Sequence, residues 1–153
     1  SIYRLKYAGR QEYAQFYGEE MAYYLGKFIR EVQPDALIPV PLHKKRFRAR
    51  GYNQAALLAR TLGRKLDIPV AEHFLRRVKD TTPLKLLNPQ ERQNNLKKAF
   101  QVYGNDVKLN SIMLIDDIYT TGATIDACAR ALYRRGARRV CFLTLATGED
   151  LYP

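Results

Sequence analysis

Apolar residues recur along this chain in two rhythms. Phe16, Tyr17, Met21, Tyr24, Leu25, Phe28 and Val32 fall at helical spacing on one broad stripe, which predicts a helix over residues 10–32. Ala55, Leu58, Ala59 and Leu62 repeat that rhythm and predict a second helix from Gln54 to about Leu66. Between them, Ala36-Leu37-Ile38-Pro39-Val40 is a short continuous apolar run, the pattern of a strand buried on both faces. Pro39 near its end predicts that ladder pairing stops there. Residues 70–75, 99–103 and 140–146 read as further strands, the last of them buried. Ile112-Met113-Leu114-Ile115 is the most sharply bounded strand, with Asp116 and Asp117 at the point where it would end. Small hydroxylated residues then open a helical pattern that runs to about Arg135 and stops at Gly136. Residues 77–95 are polar, basic and low in periodicity, and read as a long irregular stretch. Residues 2–7 fit a short strand or an arm equally. Strands alternating with helices predict an α/β fold, a doubly wound and mainly parallel sheet.

Composition narrows the class. With 153 residues, 46% hydrophobic and 27% charged, the chain reads as one soluble domain, residues 1–153, able to bury a real core. No apolar run approaches the roughly 18–20 residues of a membrane span, and no signal peptide opens the chain. Cys128 and Cys141 sit within periodic apolar patterns, which suits small core residues in a reducing, cytoplasmic setting. Two cysteines cannot make a four-ligand zinc site, and His43 and His73 are not spaced near them.

The formal charge of +11 changes the picture more. It is clustered at Lys44, Lys45, Arg46, Arg48 and Arg50, at Arg76, Arg77 and Lys79, and at Arg134, Arg135, Arg138 and Arg139. Such an excess suits a polyanion, either a diphosphate-bearing substrate or a nucleic acid backbone. For the last cluster, at a helix end where cations complement the dipole, a solvated face is the plainer reading.

The stretch that carries chemistry is Asp116-Asp117-Ile118-Tyr119-Thr120-Thr121-Gly122-Ala123-Thr124. A Thr- and Gly-rich loop at a helix start offers backbone N–H groups and the positive end of the helix dipole, which suits a phosphate. The neighbouring acids would repel that dianion, and are better placed for neutral hydroxyls or a bridging cation. Phosphate on one side and vicinal hydroxyls on the other describe a ribose 5-phosphate.

This stretch resembles the signature loop of the type I phosphoribosyltransferases, which bind 5-phosphoribosyl-1-pyrophosphate; it lacks the Gly-Lys-Ser/Thr end of a P-loop. Arg50-Gly51-Tyr52-Asn53-Gln54, the preceding strand with its Val-Pro end, and Arg92, Asn95 and Ala99-Phe100 further along resemble the ComF family of competence-associated phosphoribosyltransferase-like proteins. That resemblance runs from about Ile2 to Ala146. Many ComF members carry a Cys-rich zinc segment ahead of this domain; this sequence contains none, and its start at Ser1 leads us to expect that a leading segment is missing. Leu84 stands where the family commonly has a Gln.

The resemblance implies a set of roles. Asp116 and Asp117 would hold the ribose hydroxyls and act catalytically. Thr120, Thr121, Gly122, Ala123 and Thr124 would cradle the 5-phosphate. Leu42, His43, Lys44 and Lys45 would meet the pyrophosphate, with Mg²⁺ held through substrate oxygens and water. Residues 77–96 would form a flexible hood, with Lys85 and Arg92 as substrate contacts. Thr120 replaces the Asp that commonly handles the base's proton in 6-oxopurine salvage, which disfavours those acceptors. Two alternatives stand beside the transferase: an idle ligand-sensing domain, and a module that binds single-stranded DNA through Lys45, Arg46, Arg48 and Arg50. Other competence proteins and a second copy of the chain are the further partners this reading admits.

Overall fold

The computed structural model describes residues 11–79, 88–105 and 110–148, and the side chains at 92 and 93 lie outside that set. The strand or arm expected at residues 2–7 and the hood cation Lys85 fall outside the described residues. Helix α1 (Glu12–Val32) leads into strand β1 (Ala36–Pro39), then α2 (Lys44–Arg50) and α3 (Gln54–Leu66). Strand β2 (Leu75–Arg77), α4 (Pro89–Lys97) and β3 (Phe100–Val102) follow. The chain then runs through β4 (Ser111–Tyr119), α5 (Ala123–Arg134) and β5 (Arg139–Thr147).

The sheet is parallel, in the order β1-β4-β5, with β4 in the middle. Its residues Ile112, Met113, Leu114 and Ile115 are fully buried because helices cover both faces. Alternation of side chains across the strand divides the core in two. Ile112 and Leu114 pack with Ile38 and with Cys128, Ala131 and Leu132 of α5. Met113 and Ile115 pack with Leu37, with Met21 and Ile29 of α1, and with Leu58 and Leu62 of α3. Helices on both faces make the sheet doubly wound, as the apolar pattern predicts. Helices α1 and α3 approach closely at Gly18, where a Cβ would stand 2.6 Å from Cβ of Thr61.

Five expectations need correction. Residues 70–75 are not one strand: Val70 makes an isolated parallel bridge to Leu37, while β2 pairs antiparallel with β3 in a separate ribbon. The basic turn after β1 is in large part helix α2, capped by the His43 side chain, which accepts from the Lys45 N–H at 3.3 Å. Part of the supposedly irregular stretch is helix α4, opened by a capping box in which Asn88 and Glu91 bond each other's backbone N–H. Strand β4 does not end before its acids; it runs on through Asp116 and Asp117 to Tyr119. Strand β5 is an edge strand, not a buried one, and Phe142 remains 46% exposed. No helix among the described residues is long and apolar enough to cross a membrane.

Candidate functional site

The cleft follows from unequal strand lengths. β1 last pairs with β4 at Pro39 opposite Ile115, and the Val40 N–H donates to the Ile115 carbonyl at 2.8 Å. Pro41 follows and can donate nothing. β4 continues beside β5 alone, so Asp116 to Tyr119 are open on the side β1 has left. A cleft of about 290 Å³ lies there, at the carboxyl ends of the strands, where open α/β sheets bind ligands. Its walls come from the end of β1, from α2 and α3, from Arg77 of β2, and from β4 with the loop after it.

The two acids face opposite ways, as neighbours on a strand must. Asp117 turns toward α3, is 3% exposed, and accepts from Gln54 Nε2 at 2.9 Å. Asp116 is half-buried on the α5 side, and its Oδ1 accepts from the Asp117 N–H at 2.8 Å. Its charge reaches Cys128 in α5: burial pushes that thiol well above its usual range, Asp116 pushes it further, and Arg77 opposes.

After Tyr119 the chain turns through Gly122, whose φ of 79° lies in the left-handed region. A Cβ there would stand 2.5 Å from the Tyr119 hydroxyl, so the loop needs glycine for conformation and for space. Tyr119 is itself fixed, stacked on Phe142 with ring centroids 5.3 Å apart. Gly122 caps α5 without a side chain, and Thr121 Oγ1 accepts from the Ala123 N–H at 3.3 Å. Thr120, Gly122 and Thr124 line the cleft at this helix N-terminus. The arrangement offers N–H groups and a helix dipole to an anion on one side and carboxylates to hydroxyls on the other.

The expected pyrophosphate residues are distributed differently around it. Leu42 lines the cleft. Lys44 lines an adjoining groove of about 180 Å³ that shares Pro41, Leu42, Asn53 and Arg77 with the cleft. His43 serves as the cap of α2, and Lys45 and Arg48 are exposed on that helix. The cations that line the cleft are Arg46, Arg50 and Arg77. Arg92 belongs to α4, and its side chain is outside the described residues. Sequence reasoning named Arg50 only as a DNA contact and gave no role in the site to Asn53, Gln54 or Arg77. The signal for the first two was present in the Arg50–Gln54 motif; Arg77 looked like any other surface cation.

The fold is that of the type I phosphoribosyltransferases. A purine phosphoribosyltransferase from Pyrococcus horikoshii superposes with a TM-score of 0.55 at 17% identity, covering 88% of this chain and 75% of that one. An orotate phosphoribosyltransferase from Aeropyrum pernix gives 0.52 at 16%, covering 92% and 74%. Within that class the chain's relatives are the competence proteins of the ComF family, as its motifs imply. Competence protein F of Haemophilus influenzae is 40% identical over 109 residues, 70% of this chain and 48% of that protein. Competence protein ComFC of Bacillus subtilis is 34% identical over 147 residues, 89% of this chain and 53% of that one. The DNA utilization protein YhgH of Escherichia coli is 35% identical over 107 residues, 70% and 47% respectively. The chain thus spans about half the length of these relatives. No family profile matches it.

Proposed function

We propose that the cleft binds 5-phosphoribosyl-1-pyrophosphate and that the domain transfers its phosphoribosyl group to a nitrogen nucleophile. The observation that carries this reading is the shared cleft: Asp116 and Asp117 line it together with Thr120, Gly122 and Thr124 at the start of α5. The 5-phosphate sits against the first turn of α5 and the Thr120–Thr124 loop. The ribose hydroxyls donate to the carboxylates. Arg46, Arg50 and Arg77 neutralise the diphosphate.

In the reaction the nucleophile's lone pair forms the new bond to C1 as the C1–O bond to pyrophosphate breaks, the bonding pair leaves with the pyrophosphate, and the nitrogen's proton is released to solvent. Positive charge builds on the ring, and fixed carboxylates stabilise it there. When bound, Mg²⁺ would supply further neutralisation of the leaving group. Among the described residues no three His, Cys, Asp or Glu side chains gather as a protein cage would need. Substrate oxygens and water are the donors through which Mg²⁺ would be held. A screen of nucleobases and amines for Mg²⁺-dependent pyrophosphate release tests the transfer. Release that depends on one acceptor and disappears with Asp116→Ala plus Asp117→Ala supports it. No release with any acceptor favours an idle ligand-binding domain.

A second reading rests on α2, which exposes Lys45, Arg46 and Arg48 around Phe47, itself 49% exposed. Cations interleaved with an aromatic suit a single strand of nucleic acid, and the relatives are named for competence and DNA utilization. Because Arg46 also lines the cleft, this reading predicts that 5-phosphoribosyl-1-pyrophosphate displaces single-stranded DNA. Replacing Lys45, Arg46 and Arg48 by Ala should flatten the salt dependence of DNA binding. A band shift with no complex even at low salt removes this partner.

A further inference from the structure

The motif Arg50-Gly51-Tyr52-Asn53-Gln54 acts as a single joint in the fold. Gly51 closes α2 with its N–H on the Phe47 carbonyl, and Tyr52 is buried. Asn53 caps α3 through the Ala55 N–H and donates its own Nδ2 to the Val40 carbonyl at 3.0 Å, tying α3 to the end of β1. Gln54 comes next and is 4% exposed. Its Oε1 accepts from Arg50 Nη1 at 2.6 Å while its Nε2 donates to Asp117 Oδ2 at 2.9 Å. One neutral amide therefore joins a cation and an anion that line the same cleft.

We propose that Gln54 is a positioning residue that couples the sugar side of the cleft to the diphosphate side, with Arg50 as a diphosphate-binding cation. The proposal rests on the phosphoribosyl reading of the cleft. A direct Arg50–Asp117 ion pair would spend both groups on each other. An intervening carboxamide fixes both and leaves each with capacity for ligand. A guanidinium has five N–H donors, and the bond to Gln54 uses one of them. The Gln54 N–H falls on Oδ2 of Asp117, and a carboxylate's two oxygens together present about four lone-pair sites. Since the amide is buried between helix and strand, motion of one partner is passed to the other.

Calorimetry with ribose 5-phosphate and with inorganic pyrophosphate plus Mg²⁺, as separate probes, reads the two halves independently. The wild type should bind both. Gln54→Leu, close in volume but without the bridge, should weaken both at least about tenfold. Arg50→Gln should weaken pyrophosphate strongly and ribose 5-phosphate far less. Gln54→Glu gives the signature that a merely structural role would not show. At pH 7.5 the introduced carboxylate opposes Asp117 and binding is lost. Near pH 5 a proton shared between the two carboxyls restores the bridge, and affinity should return toward that of the wild type at the same pH. The charged and titratable groups that line the cleft with Gln54 are Asp116, Asp117 and Tyr119 on β4, Arg46 and Arg50 on α2, and Arg77 on β2. Should Gln54→Leu fail to fold, the Gln54→Glu and Arg50→Gln series decides. A wild type that binds neither probe overturns the phosphoribosyl reading itself. A wild type that binds both, beside variants that match it or a Gln54→Glu that stays weak at low pH, overturns the coupling alone.

Discussion

Gly122 lines the cleft with Asp116, Cys128 lies within reach of the Asp116 charge, and the two are constrained for different reasons. At Gly122 a side chain would have to adopt a left-handed φ of 79° and displace the Tyr119 hydroxyl. Gly122→Ala should therefore cost about 1–3 kcal/mol in chemical denaturation, and calorimetry should show ligand binding weakened beyond what the lost stability explains. Cys128 is held protonated, by burial first and by Asp116 second. Its alkylation in native protein should be slow at neutral pH and should track global unfolding, which peptide mapping after a timed iodoacetamide pulse would read. The acids and the Thr-rich loop were legible in the sequence because they are contiguous, and their chemistry can be argued from neighbours alone. The Arg50–Gln54 motif marks Gln54, but its role was not legible, because its partner Asp117 lies 63 positions away and only the fold brings them together. Arg77 failed for the same reason: nothing local separates a cleft arginine from a surface one.

Among the elements, periodicity found the helices that bury a stripe and missed the ones that do not. Among the described side chains neither α2 nor α4 has a buried one, so neither writes a stripe; caps and turns hold them. For α4 the signal was Asn88-Pro89-Gln90-Glu91, a capping box with proline at the first helical turn. Asn88→Ala should remove about 1 kcal/mol from that helix, seen as faster amide exchange across residues 90–97. An apolar run also cannot tell an edge strand from a central one, since only tertiary cover distinguishes β5 from β4. Arg60 and Glu72 tie α3 to the segment ahead of β2 by an ion pair. The hydrogen bond from Arg60 holds the Glu72 carboxyl below its ordinary range, with the charge of Arg60 adding to it and burial opposing. A carboxyl depressed in the folded state stabilises above its unfolded pKa, and that contribution is lost as pH falls through the lower folded value. Both side chains are partly exposed, so the effect is small. Glu72→Gln should lower the melting temperature slightly at pH 7, and the difference should close in acid.

On the scale of the whole molecule, the doubly wound parallel sheet was readable because four buried strand residues in β4 demand cover on both faces. The place of the cleft was readable too, since ligands in such sheets gather beyond the strand ends. The separate β2–β3 ribbon was not, because antiparallel pairing of two three-residue strands leaves almost no pattern in the chain. Charge acts at this scale as well: the excess of +11 serves a diphosphate and a nucleic acid backbone equally, and only competition between the two can assign it. The central claim is that Asp116, Asp117 and the loop to Thr124 form one binding site for 5-phosphoribosyl-1-pyrophosphate. Calorimetric titration with that ligand and Mg²⁺ tests it most directly, on the wild type and on Asp116→Ala plus Asp117→Ala checked for folding by its melting curve. Saturable binding by the wild type and none by the variant is the predicted result. Equal affinity in both would contradict the assignment.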